Sequence, residues 1–84
     1  MAKVVVKYRG LLVDFTKLDE EVLNVNQIKD ILKHIKLCYG PEAEKKAKSM
    51  LITIDGDSMF MRKGFKSKLN DGEIVQFFPI CGGG

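Results

Sequence analysis

Apolar and polar positions alternate most clearly near the two ends of the chain, in KVVVKYR and EIVQFF. Residues 3–9 are rich in β-branched side chains, and the period of two predicts a strand. Val4, Val6 and Tyr8 fall on its buried face, and Lys3, Val5, Lys7 and Arg9 on the other. GLLVDFTKLD is apolar without a clean period and is expected to be a loop or an irregular hairpin connection. EEVLNV, residues 20–25, reads as a second strand with Leu23 and Val25 inward. The period then lengthens. Ile28, Ile31, Leu32 and Ile35 stand at i, i+3, i+4 and i+7, the apolar stripe of an amphipathic helix. Asn26 is its expected N-cap, because an Asn side chain accepts a hydrogen bond from a first-turn amide. Lys29, Asp30, Lys33 and Lys36 make the wet face.

Gly40-Pro41 stops that helix, and PEAEKKAKS predicts a short second one, with proline in its first turn and acids ahead of lysines. MLITID, residues 50–55, is a strand with Ile52 and Ile54 inward, followed by an Asp55-Gly56 turn. SMFM is expected to pair back as a short strand. RKGFKSKLNDG is basic and turn-rich, with Leu69 as its buried pin. Residues 73–78 form the last strand, with Val75 and Phe77 on one face and Gln76 and Phe78 on the other. The order β, β, α, α, β, β, β predicts an α+β fold, a mixed sheet with one main helix on one face. The first and last strands would lie side by side in its middle.

Composition narrows the picture. Eighty-four residues make one domain with a small core and little room for a deep catalytic pocket. Hydrophobic content of 45% and charged content of 30% are globular values. No apolar run approaches the ~18 residues of a membrane span, and MAKVVVKYRG is not patterned as a signal peptide, so a cytoplasmic protein is expected. The net charge of +3 is too mild for a nucleic-acid binder. Two cysteines, Cys38 and Cys81, make no disulfide framework. His34 and Cys38 share a helix face, but two ligands are too few for a metal site, so none is expected. Asp55-Gly56-Asp57 lacks the spacing of a calcium loop.

The chain closes on Gly82-Gly83-Gly84. Glycine loses more freedom on ordering than any other residue, so a terminal run is not there for packing. The sixteen residues LNDGEIVQFFPICGGG resemble the C-terminal signature of the molybdopterin synthase small subunit, approximately L-x-D-G-D-x-V-x-F-F-P-P-x-x-G-G. Leu69, Asp71, Gly72, Val75, Phe77, Phe78, Pro79, Gly83 and Gly84 match in place. Glu73, Ile80, Cys81 and Gly82 depart from the pattern or occupy variable positions. The rest of the chain agrees in outline.

The resemblance implies a ubiquitin-like β-grasp sulfur carrier, related to the thiazole-pathway carrier and to ubiquitin-type modifiers. Residues 1–80 would be the domain and 81–84 a flexible tail. An E1-like enzyme would use ATP to adenylate the Gly84 carboxylate, sulfur would replace the adenylate, and the molybdopterin synthase large subunit would take the sulfur from the thiocarboxylate. The chain would bind no cofactor, nucleic acid or membrane, and would be a monomer when free. It would be a carrier rather than an enzyme alone. The alternatives are a modifier joined through Gly84 to lysines, and a carrier for thiazole synthesis.

Phe78 is expected to face solvent beside the tail as a partner anchor, its other reading being a satellite core residue. Pro79 ends strand pairing and releases Ile80 and the tail. Lys3, Lys7 and Arg9 would either steer an acidic partner or form a solvated face. Cys81 is read as a small apolar filler, the sharper reading being a thiol that attacks an activated Gly84.

Overall fold

The two alternating segments at the chain ends meet in the middle of the sheet. The computed structural model describes residues 1–80. Five strands, β1 (Ala2–Lys7), β2 (Glu20–Val25), β3 (Leu51–Ile54), β4 (Asp57–Ser58) and β5 (Ile74–Phe78), form one sheet in the order β2-β1-β5-β3-β4. β1 and β5 are parallel, with Val5 opposite Ile74 and Lys7 opposite Gln76. All other pairings are antiparallel.

Three helices accompany the sheet: α1 (Leu12–Thr16), α2 (Ile28–Tyr39) and α3 (Pro41–Lys48). The α2 stripe of Ile28, Ile31, Leu32 and Ile35 is buried, as its spacing requires. It shares one core with Val4, Val6, Tyr8, Leu23, Val25, Ile52, Ile54, Val75 and Phe77 from the inner face of the sheet. Ala43 and Ala47 bring α3 against the same core. The main helix thus covers one face and leaves the other to solvent.

Local geometry differs from the pattern in three places. GLLVDFTKLD contains the short helix α1 rather than only a loop. Leu12 and Thr16, four apart, turn inward, the Thr16 hydroxyl donates to the Leu18 carbonyl at 2.9 Å, and Lys17 ends the helix with φ 61°. The N-cap of α2 is Gln27, not Asn26. The Asp30 carboxylate reaches back to accept the amides of Gln27 at 2.9 Å and Asn26 at 3.2 Å, which places negative charge at the positive helix end. SMFM contributes only Ser58 to a strand; Met59–Met61 is a 3-10 turn that buries Met59.

The β3–β4 connection is a two-residue turn at Asp55 (φ 49°) and Gly56 (φ 88°), as a tight hairpin demands. Leu69 is buried, and its amide donates to the Asn26 carbonyl at 2.9 Å. The next turn fastens β5 to β1. Gly72, at φ 84°, donates its amide to the Lys3 carbonyl at 2.9 Å, while Asp71 Oδ1 accepts the Lys3 amide at 2.8 Å. These bonds set the parallel register that carries β5 up the centre.

Candidate functional site

The site is built where β5 runs out. Along β5 the inward residues Val75 and Phe77 are fully buried, and Ile74, Gln76 and Phe78 face outward and are half-buried. Phe78 thus faces outward as alternation predicts, but half-buried. It stands opposite Leu51, which is 42% exposed, so the pair makes an apolar patch at the root of the tail. Pro79 follows as an exposed residue outside the ladder. A Cβ added to Gly10 would come within 3.4 Å of the Pro79 ring, so the bend after β1 holds the chain as it leaves the sheet. Ile80 is 64% exposed. Cys81, Gly82, Gly83 and Gly84, the reactive tail expected from the sequence, lie outside the described residues.

The basic residues lie near this exit. Arg9 is exposed and its Nη2 donates to Gln76 Oε1 at 3.5 Å. Lys7 is half-buried beside Gln76, with Glu20 as its neighbour on β2. Lys3 is exposed at the far end of β1. The three do not make one continuous cationic patch, because Val5 separates Lys3 from Lys7 along β1.

Strand register reveals a second part of the surface. Val22, Val5 and Ile74 are cross-strand neighbours on the outer face of β2, β1 and β5, and Val22 is 53% exposed. The alternation of residues 3–9 placed Val5 outward, but only the register joins it to the other two. At the opposite end of β5, Arg62 Nη1 and Nη2 donate to Glu73 Oε1 and Oε2 at 3.2 and 2.5 Å, and the Asn70 amide donates to Oε1 at 2.7 Å. Arg62 holds the Glu73 carboxyl below its ordinary range, against the opposing effect of burial. Among the described residues, no group of three or more His, Cys, Asp or Glu is placed to hold a metal ion. No helix among them is long and apolar enough to cross a membrane.

No family model matches the sequence, and a search of curated proteins gives no match. Solved structures do match. Small archaeal modifier protein 1 from Methanosarcina acetivorans superposes with a TM-score of 0.85 at 22% identity, over 100% of this chain and 98% of that one. This chain has the ubiquitin-like β-grasp fold. A chain of the BexX/CysO complex from Amycolatopsis orientalis shares the β-grasp with a TM-score of 0.80 at 12% identity, over 96% and 99% of the two chains. A chain of the complex of subunits 1 and 2 of molybdopterin-converting factor from Helicobacter pylori matches with a TM-score of 0.68 at 18% identity, again over 96% and 99%.

Proposed function

We propose that this β-grasp chain is a sulfur carrier that works as the small subunit of a molybdopterin synthase, through the carboxylate of Gly84. The carrying observation is the placement of β5. It is central, clasped by β1 and β3, and leads through Phe78-Pro79-Ile80 into a sequence that closes on three glycines. A reactive terminus needs a rigid base, and a central strand supplies one. The glycines carry no Cβ, so a channel can be narrow and the acyl carbon stays open to attack.

In the proposed cycle an E1-like enzyme joins the Gly84 carboxylate to AMP from ATP, with release of pyrophosphate. A sulfur nucleophile displaces AMP and leaves the thiocarboxylate. The synthase large subunit then passes that sulfur to a pterin precursor of a molybdenum or tungsten cofactor. This chain supplies the acyl group that carries the sulfur, and its tether; the partner enzymes supply acid, base and charge stabilisation. The Phe78–Leu51 patch and the Val22–Val5–Ile74 row are the apolar surfaces on which those partners would dock, and Arg9 and Lys7 would steer them. The similar Helicobacter pylori chain, solved in a complex of subunits 1 and 2, supports a partner-bound working state.

The fit to a structure named as a modifier protein favours one second reading, conjugation of Gly84 to lysines. One experiment separates the two. The chain is made in cells with its activating enzyme, beside a variant lacking Gly84, and its intact mass is measured. Replacement of one oxygen by sulfur, absent from the variant, is the expected result. High-mass conjugates on a denaturing gel, with no sulfur gain, would favour the modifier. Neither product, with the activating enzyme shown to be active, would overturn both.

A further inference from the structure

A second group of chemically capable side chains lies on the helix side of the sheet, apart from the outer face and the tail. Cys38 and His34, four apart on α2, meet with Sγ 3.7 Å from Nδ1, within hydrogen-bond reach for sulfur. The other imidazole nitrogen, Nε2, is buried, has no aligned hydrogen-bond partner, and lies 3.3 Å from Glu21 Oε2 on β2. The Tyr39 hydroxyl donates to the same oxygen at 2.9 Å, and so does the hydroxyl of the fully buried Tyr8. The Tyr39 ring meets the His34 ring edge-on at 6.0 Å and the Tyr8 ring at 6.4 Å. The carboxylate on β2 is thus held by one phenol that follows β1 and one from the end of α2, and the imidazole lies against it as a third contact. At the far end of this chain of groups the thiol is exposed, beside Leu37 at 76% exposure.

Packing accounts for the two tyrosines but not for the exposed thiol. Leu37, His34 and Cys38 lie off the buried stripe of α2, and an exposed thiol adds no core. The order thiol, imidazole, carboxylate is the arrangement in which a base activates a nucleophile and is itself oriented by a third group. Burial and the hydrogen bond to Glu21 push both phenols up, Tyr39 to about 12 and Tyr8 higher still, so both remain donors at neutral pH.

We propose that Cys38 is a thiol-modification site, activated by His34 and positioned through Glu21, whose substrate is a low-molecular-weight disulfide. With its proton on Nε2 toward Glu21, His34 takes the Cys38 proton on Nδ1. Sγ then attacks one sulfur of the disulfide, a new S–S bond forms, and the old one breaks. The departing thiolate recovers the proton from Nδ1. Cys38 is oxidised to a mixed disulfide, and one half of the reagent is reduced to a thiol. The site does not depend on Gly84 and stands whether or not the tail carries sulfur.

The test is the rate at which each cysteine of the full chain gains glutathione from oxidised glutathione at pH 7. Tryptic cleavage after Lys36 and after Lys68 puts Cys38 and Cys81 in separate peptides, so one digest reads both. A free thiol is already a few per cent thiolate at pH 7, and nucleophilicity falls as a thiol becomes more acidic, so the gain from the relay is about fivefold. Cys38 is expected to react about fivefold faster in the wild type than in His34→Gln, with the Cys81 rate unchanged. Glu21→Gln should give a smaller loss, about twofold, again confined to Cys38. Equal Cys38 rates in the wild type and His34→Gln would overturn the proposal. Should His34→Gln fail to fold, the wild type alone decides. Cys38 reacting faster in the folded chain than in the urea-unfolded chain supports the relay, and an equal or slower rate overturns it.

Discussion

Phe77 and Phe78 are adjacent in sequence and opposite in role. Phe77 is 0% exposed, with its ring 6.0 Å from that of Tyr8, whereas Phe78 is half-buried on the outer face beside Leu51. Phe77→Ala is expected to cost about 4 kcal/mol in urea unfolding, through lost burial and the cavity left behind. Phe78→Ala should cost about 1 kcal/mol and, under the proposed function, weaken affinity for an activating enzyme, measured by calorimetry. The tyrosines give a pH signature. Because folding raises both phenols above the unfolded value of about 10, the native state holds more protons than the unfolded chain at alkaline pH. Their contribution to stability is complete below about pH 10 and is lost as pH rises toward and beyond about 12. Denaturation midpoints across pH 8–12 should show that fall, and Tyr39→Phe should make it shallower. The opposite facing of Phe77 and Phe78 was legible in the chain, whereas the cluster around Glu21 was not. Tyr8 read correctly as core, and His34 and Cys38 were visible as helix neighbours, but Glu21, which gathers them, comes from another strand.

Among the elements, the turn before β5 and the ion pair beyond it are the sensitive joints. At Gly72 nothing lies within 4 Å of a new Cβ, so Gly72→Ala is penalised by its positive φ alone, about 1 kcal/mol in thermal or urea unfolding. Glu73→Gln should cost about 2 kcal/mol at pH 7, because it removes a charged acceptor that two guanidinium nitrogens and an amide share. Folding lowers the Glu73 carboxyl, so this contribution is present above about pH 4.5 and disappears as acid protonates it. The gap between the variant and the wild type should close accordingly. Long periodic segments were read correctly from sequence, since four buried residues on α2 reinforce one another. Of the short ones, α3 and β3 were read correctly and two others were not. Five residues of α1 cannot establish a period, and S-M-F-M alternates equally well as a strand or as a turn with one buried methionine. Gln27 displaced Asn26 as cap because the outcome depended on Asp30 reaching back, not on the capping residue itself. At the site, the Pro79 boundary was legible, whereas the Val22–Val5–Ile74 row required knowledge of register across three strands.

For the molecule as a whole, β5 is the keystone of connectivity. The β3–β4 hairpin reaches β1 and β2 only through it. A chain ending at residue 72 is therefore expected to lack a cooperative unfolding transition by circular dichroism, although both longer helices remain in its sequence. The parallel alignment of β1 and β5 has a further consequence in mechanics. The chain enters the sheet at the start of β1 and leaves at the end of β5, so tension between the two ends pulls these neighbours lengthwise past each other. Their ladder is loaded in shear, all its hydrogen bonds sharing the force, instead of parting one at a time like a zip. Under the proposed function, an enzyme that drew on the chain beyond β5 while gripping the sheet would work against the direction in which this small protein yields least.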